Sequence, residues 1–120
     1  MNILVVDDHA DAREALRDML EDAGHTVHVA DGGRKAIDLL VVYKVDLIIT
    51  DILMPEIEGA EFILRLRQSR IPVIAMSGLP RETVVGEILS KLGIVGILQK
   101  PFSLSTIRNL VENVCVLHHS

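Results

Sequence analysis

Three carboxylates, one hydroxyl and one ammonium stand just past short apolar runs in this 120-residue chain. Asp7 and Asp8 follow residues 3–6, Asp51 follows residues 47–50, Ser77 follows residues 72–76, and Lys100 comes shortly after residues 94–98. Carboxylates crowded together repel and raise one another's pKa unless a cation sits among them. An all-oxygen set with one or two direct carboxylates suits Mg²⁺, which keeps its other octahedral positions for water and a substrate phosphate. Lys100 would add a positive point charge and Ser77 a hydrogen-bond donor. Together these groups can hold a phosphoryl group. The chemistry they point to is attack of an Asp oxygen on phosphorus, giving an aspartyl phosphate.

Taken singly, each residue has a plainer reading. Asp8 alone reads as a helix N-cap, and Asp51 alone as a loop residue. Ser77-Gly78 alone is a common turn, and Lys100 alone is a solvated side chain. Their weight comes from lying together, and that depends on the elements that carry them.

Five apolar runs recur along the chain at residues 3–6, 26–30, 47–50, 72–76 and 94–98; these are the predicted strands β1 to β5. The segments between them carry apolar residues at helical spacing. Helix α1 (12–23) shows Ala12, Ala15, Leu16, Met19, Leu20 and Ala23, with Gly24 as a C′ residue. Helix α2 (36–40) shows Ala36, Ile37, Leu39 and Leu40; α3 (62–66) shows Phe62, Ile63 and Leu66. Helix α4 (84–92) shows Val84, Val85, Ile88, Leu89 and Leu92; α5 (104–114) shows Leu104, Ile107, Leu110, Val111 and Val114. Strands that are apolar without alternation are buried on both faces, so the sheet is parallel with helices on each side. Right-handed crossovers then give an α/β fold, a doubly wound (βα)5 three-layer sandwich with a five-stranded parallel sheet. In such a sheet ligands bind beyond the carboxyl ends of the strands. All five candidate residues are delivered to that edge.

Composition narrows the classes. The chain has 49% apolar and 24% charged residues, an ordinary globular balance for a single domain over residues 1–120. Aromatic residues make up 2%, namely Phe62, Phe102 and Tyr43 with no Trp, which disfavours binders that stack bases or sugars on aromatic platforms. Twelve Lys+Arg against 17 Asp+Glu give a net charge of −5, which argues against direct nucleic-acid binding. Cys115 stands alone and cannot form an internal disulfide, in keeping with a reducing cytoplasm. The N-terminus lacks a basic n-region, and no apolar run approaches the roughly 20 residues that span a bilayer. The expectation is a cytoplasmic protein with no membrane partner.

The sequence resembles the receiver domains of two-component response regulators, of the chemotaxis-regulator-like, flavodoxin-like fold, from Met1 to about Leu117. The matching motifs are Ile3-Leu4-Val5-Val6-Asp7-Asp8, Asp51-Ile52-Leu53-Met54-Pro55 with Gly59, Ile74-Ala75-Met76-Ser77-Gly78, and Lys100-Pro101-Phe102. The resemblance implies that Asp51 is the phosphoacceptor, taking a phosphoryl group from a sensor histidine kinase or a histidine phosphotransfer protein. It makes Asp7 and Asp8 the Mg²⁺ pair, Asp8 the more direct ligand, with the Leu53 backbone carbonyl completing the protein's share of the shell. Ser77 matches the switch hydroxyl and Lys100 the ammonium that pairs with Asp51 or its phosphate. The Lys100–Pro101 peptide is expected to be cis, which would aim the Lys. The implied function is a phosphoryl-accepting switch, not a turnover enzyme, whose α4–β5–α5 surface changes on phosphorylation.

Departures from the family pattern mark this member. Ile97 stands where an aromatic ring is usual, so a swinging ring cannot be its readout. Leu53 and Leu79, two residues after Asp51 and Ser77, are both apolar. Neither can orient an attacking water, which predicts a long-lived phosphorylated state. Ile94 and Val95, with Ile97, Val84 and Val85, are expected to give the α4–β5–α5 face an apolar patch for a homodimer or a downstream effector.

Competing readings are weaker. A dehalogenase-like phosphohydrolase would need a second Asp where Leu53 stands. A phosphorylation-independent pseudo-receiver module does not require all of Asp7, Asp8, Asp51, Ser77 and Lys100. Gly32-Gly33 lacks the G-x-G-x-x-G spacing and reads as a turn and helix start. His25 and His28, three apart at the start of β2, read as surface residues on opposite faces, Cys115 as a small buried hydrophobe, and His118-His119-Ser120 as a frayed end.

Overall fold

The computed structural model describes residues 1–51, 64–65, 68–77, 94–99 and 103–119. The five strands are β1 (Asn2–Val6), β2 (Thr26–Ala30), β3 (Leu47–Asp51), β4 (Val73–Ser77) and β5 (Ile94–Gln99). They form one parallel sheet in the order β2-β1-β3-β4-β5. The helices are α1 (Ala10–Asp22), α2 (Gly33–Val42) and α5 (Leu104–His119). Predicted α4, and α3 apart from helical residues 64–65, lie outside the described residues; residues 68–69 are also helical. Strand order reverses between β1 and β3, the switch point where a crevice opens beyond the strand ends.

Alternation along the strands splits the core into two layers. Ile3 and Val5 of β1 join Leu47 and Ile49 of β3 and Ile74 and Met76 of β4 under Leu16 and Leu20 of α1 and Ile107, Val111 and Val114 of α5. Leu4, Val6, Ile48 and Val73 point the other way and pack with Ala36, Ile37 and Leu40 of α2. Both faces are covered, so β1 and β3 read as unbroken apolar runs rather than alternating ones. Each fully buried Leu or Ile contributes about 1.5–3 kcal/mol relative to exposure.

Strand β2 departs from the fully buried expectation. It is an edge strand whose first residue is exposed and whose next three are half-buried. His28 stacks on Tyr43 with ring centroids 4.0 Å apart. His25 Nδ1 lies 3.0 Å from the Met1 ammonium. Both histidines are half-buried and partnered, not surface residues, because contacts distant in sequence cover them.

The chain turns are made where the sequence expects them. Helix α1 ends in a Schellman motif: Gly24 at φ +95° donates its N–H to Glu21 O at 3.0 Å, and His25 donates to Leu20 O at 3.1 Å. Gly32 is the N-cap of α2, which begins at Gly33. On β5 the register shifts between Val73 paired with Ile94 and Ile74 paired with Gly96, leaving Val95 as the extra residue of a bulge.

Candidate functional site

The acidic residues converge because adjacent strands end at the same level. Val6 of β1 pairs with Thr50 of β3, so Asp7 and Asp51 are the next residues on each. Asp7 continues the alternation of Ile3 and Val5, and Asp51 that of Leu47 and Ile49, toward the same face of the sheet. Asp7 is fully buried and Asp51 is 5% exposed. Asp8, one residue further, is exposed. Carboxylate oxygens of Asp7, Asp8 and Asp51, together with a His9 ring nitrogen, all lie within 4.8 Å of one another.

Local bonds hold this loop. Asp7 Oδ1 accepts the His9 N–H at 2.9 Å, an Asx-type turn that leads from β1 into α1. His9, not Asp8, is the N-cap of α1, with extended backbone and no side-chain cap bond. Its carbonyl accepts the Arg13 N–H at 3.0 Å. The Arg13 guanidinium donates to the Asp7 carbonyl at 2.8 Å, tying the first turn of α1 to the rim. The Asp7 N–H donates to Ala30 O at 3.1 Å, so the end of β2 fixes the same residue from the other side. His9 and Arg13 do not follow from strand ends; the only signal for His9 is its place directly after Asp7-Asp8.

Ser77 closes β4, paired with Gln99, the last residue of β5. Its backbone is thus at the carboxyl edge with Asp7 and Asp51, and Lys100 follows Gln99 in sequence. Leu53, Lys100 and Pro101 lie outside the described residues, as do the side chains of Ser77, Ile94, Val95, Ile97 and Cys115. Ile94 and Ile97 pair with Val73 and Ala75 of β4. A buried carboxylate pair with a third carboxylate at its mouth, all oxygen donors, has the chemistry of a hard divalent cation site.

Residues 3–112 match the family model of the response regulator receiver domain. The chain belongs to that family. This receiver is 38% identical over 120 residues to an uncharacterized 14.6 kDa protein in the sodA1 3′ region of Leptolyngbya boryana, covering 97% of this chain and 91% of that one. It is 34% identical to the probable transcriptional regulator ycf29 of Porphyra purpurea, covering 94% of this receiver and 56% of that protein. The chain thus spans about half the length of such longer relatives.

Solved structures agree with the receiver fold. The chemotaxis response regulator CheY4 of Vibrio cholerae superposes with a TM-score of 0.82 at 28% identity, covering 94% of this receiver and 97% of that chain. The response regulator TrrA of Thermotoga maritima, solved in complex with Mg²⁺–BeF, superposes with a TM-score of 0.77 at 27% identity, covering 94% and 97%. Receiver domains of two-component systems are signalling switches rather than turnover enzymes. Among the described residues, no helix of this receiver is long and apolar enough to cross a membrane.

Proposed function

We propose that this receiver is a Mg²⁺-dependent phosphoryl switch with Asp51 as its acceptor. The observation that carries the reading is the meeting of Asp7, Asp8 and Asp51 at one strand edge, with carboxylate oxygens within 4.8 Å. Asp7 and Asp8 would hold the cation, with the Leu53 carbonyl completing the protein's share. When bound, the cation neutralises carboxylate repulsion and phosphoryl charge.

An Asp51 oxygen attacks the phosphorus of a phosphohistidine on a sensor kinase or phosphotransfer protein. The P–O bond to Asp51 forms as the P–N bond breaks, and the donor imidazole leaves with the electron pair and takes up a proton. Lys100 holds the phosphoryl oxygens by charge and Ser77 by its hydroxyl, with the Lys100–Pro101 peptide in the cis form. Closure of these two on the added charge biases one of two loop arrangements and changes the α4–β5–α5 surface. Ile94, Val95 and Ile97 belong to that surface, which would bind a second copy or a downstream effector. A single domain over residues 1–120, working in the cytoplasm, is part of the same reading.

Incubation with acetyl phosphate or beryllofluoride and Mg²⁺ tests it. An adduct is expected by intact mass or ¹⁹F NMR, absent in Asp51→Asn. An adduct of equal yield in Asp51→Asn would overturn the assignment, and rapid multiple turnover on small phosphate esters would replace a switch by a phosphohydrolase.

A further inference from the structure

One side chain bonds the first turn of α1 back onto the end of β1. The Arg13 guanidinium donates from Nη1 to the Asp7 carbonyl oxygen at 2.8 Å. Its backbone N–H donates to the His9 carbonyl at 3.0 Å, so one residue holds both ends of the Asp7-Asp8-His9 segment. The two peptide planes beside Asp7 are thereby fixed. The bond from Asp7 N–H to Ala30 O at 3.1 Å holds the plane before it, and Arg13 holds the plane after it. A planar peptide leaves only φ and ψ free at each residue. The Asp7–Asp8 plane therefore sets the direction in which Asp8 and its carboxylate leave the strand end.

Asp8 depends on that guide more than Asp7 does. Asp7 is fully buried, whereas the Asp8 side chain is 51% exposed and pairs with an exposed His9. The Arg13 guanidinium also carries a positive charge, which repels a dication at the rim, so its two effects have opposite signs. Water and salt damp the repulsion at a solvent-facing edge. Loss of an outer bond that orients a ligand costs about 10–100-fold in metal affinity, so orientation outweighs repulsion.

We infer that Arg13 is a positioning residue for the divalent cation, holding Asp8 in ligating position through the Asp7 carbonyl. The inference rests on the reading of the Asp7–Asp8–Asp51 rim as the cation site. Acting through the backbone, Arg13 needs no contact with the cation or the phosphoryl group.

The test is a Mg²⁺ titration of the full ¹⁵N-labelled chain, followed at the amides of Asp8 and Asp51. Arg13→Met keeps an unbranched apolar stem and removes both donor and charge. It is expected to shift the Asp8 amide before any Mg²⁺ is added, since that amide shares a peptide with the released Asp7 carbonyl. Mg²⁺ is expected to bind about tenfold more weakly. Adduct formation from acetyl phosphate should then need about ten times more Mg²⁺ yet reach the native rate at saturation. Unchanged or tighter Mg²⁺ binding would overturn the inference, because the charge and not the bond would then govern the rim. A rate that stays low at saturating Mg²⁺ would also overturn it. If Arg13→Met does not melt cooperatively, Arg13→Gln, with its shorter side chain, carries the same test by the same criteria. Asp8→Asn separates the two levels of the argument. If it binds Mg²⁺ as the native chain does, the cation-site reading fails and the inference falls with it. If it loses Mg²⁺ while Arg13→Met keeps native affinity, only the role of Arg13 fails.

Discussion

Asp51 pairs with Met76 across the β3–β4 ladder, and Met76 is fully buried in the core layer beneath α1 and α5. The Asp51 carboxylate therefore stands at the top of packed apolar side chains, with fully buried Asp7 just past the end of neighbouring β1. Two carboxylates in such a place gain from any dication that binds the folded form.

That gain is measurable as stability. A ligand that binds only the folded state at about 100 times its Kd adds about 2.7 kcal/mol. Mg²⁺ is expected to raise the melting temperature of the chain by several degrees, read by circular dichroism or calorimetry, and EDTA to reverse it. Asp8→Asn should lose most of the Mg²⁺ shift while melting cooperatively. A full shift in Asp8→Asn would remove Asp8 from the cation shell.

Under the proposed phosphoryl switch, the lifetime of an aspartyl phosphate at Asp51 depends on side chains that touch the attacking water. Leu53 and Leu79 offer no hydrogen bond to orient one. Leu53→Asn supplies an amide two residues after Asp51 and is expected to speed autodephosphorylation on the order of tenfold. The decay of the acetyl-phosphate adduct, followed by mass, gives the rate. An unchanged or slower decay would show that apolar shielding at this position is not what sets the lifetime.

Strand identity and the acidic rim were legible because both follow from local pattern. Residues 3–6 and 47–50 are unbroken apolar runs since helices cover both faces, and parallel strands place whatever follows them on one edge. The added strand residues Asp51, Ser77 and Gln99 shift the boundaries by one position without moving the rim. What escaped depends on contacts between distant or irregular segments. His28 is half-buried because Tyr43 stacks on it, and His25 because the chain's first residue reaches it. The bulge at Val95 is a matter of register, which an apolar run alone does not encode. His9 joins the rim through an Asx-type turn at the end of β1, where a strand-end pattern stops at Asp8.

The Schellman turn after α1 sets a separate test. Gly24 sits at φ +95°, a conformation that costs an L side chain about 1–2 kcal/mol. A Cβ there meets nothing within 4 Å, so the cost of Gly24→Ala is backbone strain alone. The expected loss is about 1 kcal/mol in denaturant melts. Gly32, in extended backbone at φ −175°, carries no such strain, and Gly32→Ala is expected to cost less. Equal losses at the two glycines would refute the distinction.

The contact of His25 with the chain's first residue predicts a pH dependence. Burial lowers the pKa of His25 below its ordinary value, and the nearby Met1 ammonium lowers it further. The folded state thus binds its proton less readily than the unfolded state does. Between the two pKa values the unfolded chain holds more protons, so stability rises with pH. The contribution is fully present above the unfolded value of about 6.5 and is lost as pH falls toward the folded one. His25→Gln keeps an acceptor for the Met1 ammonium but cannot titrate. The melting temperature of the native chain should therefore fall more steeply than that of His25→Gln between neutral and mildly acidic pH. Parallel curves would mean that other groups carry the whole of the acid sensitivity.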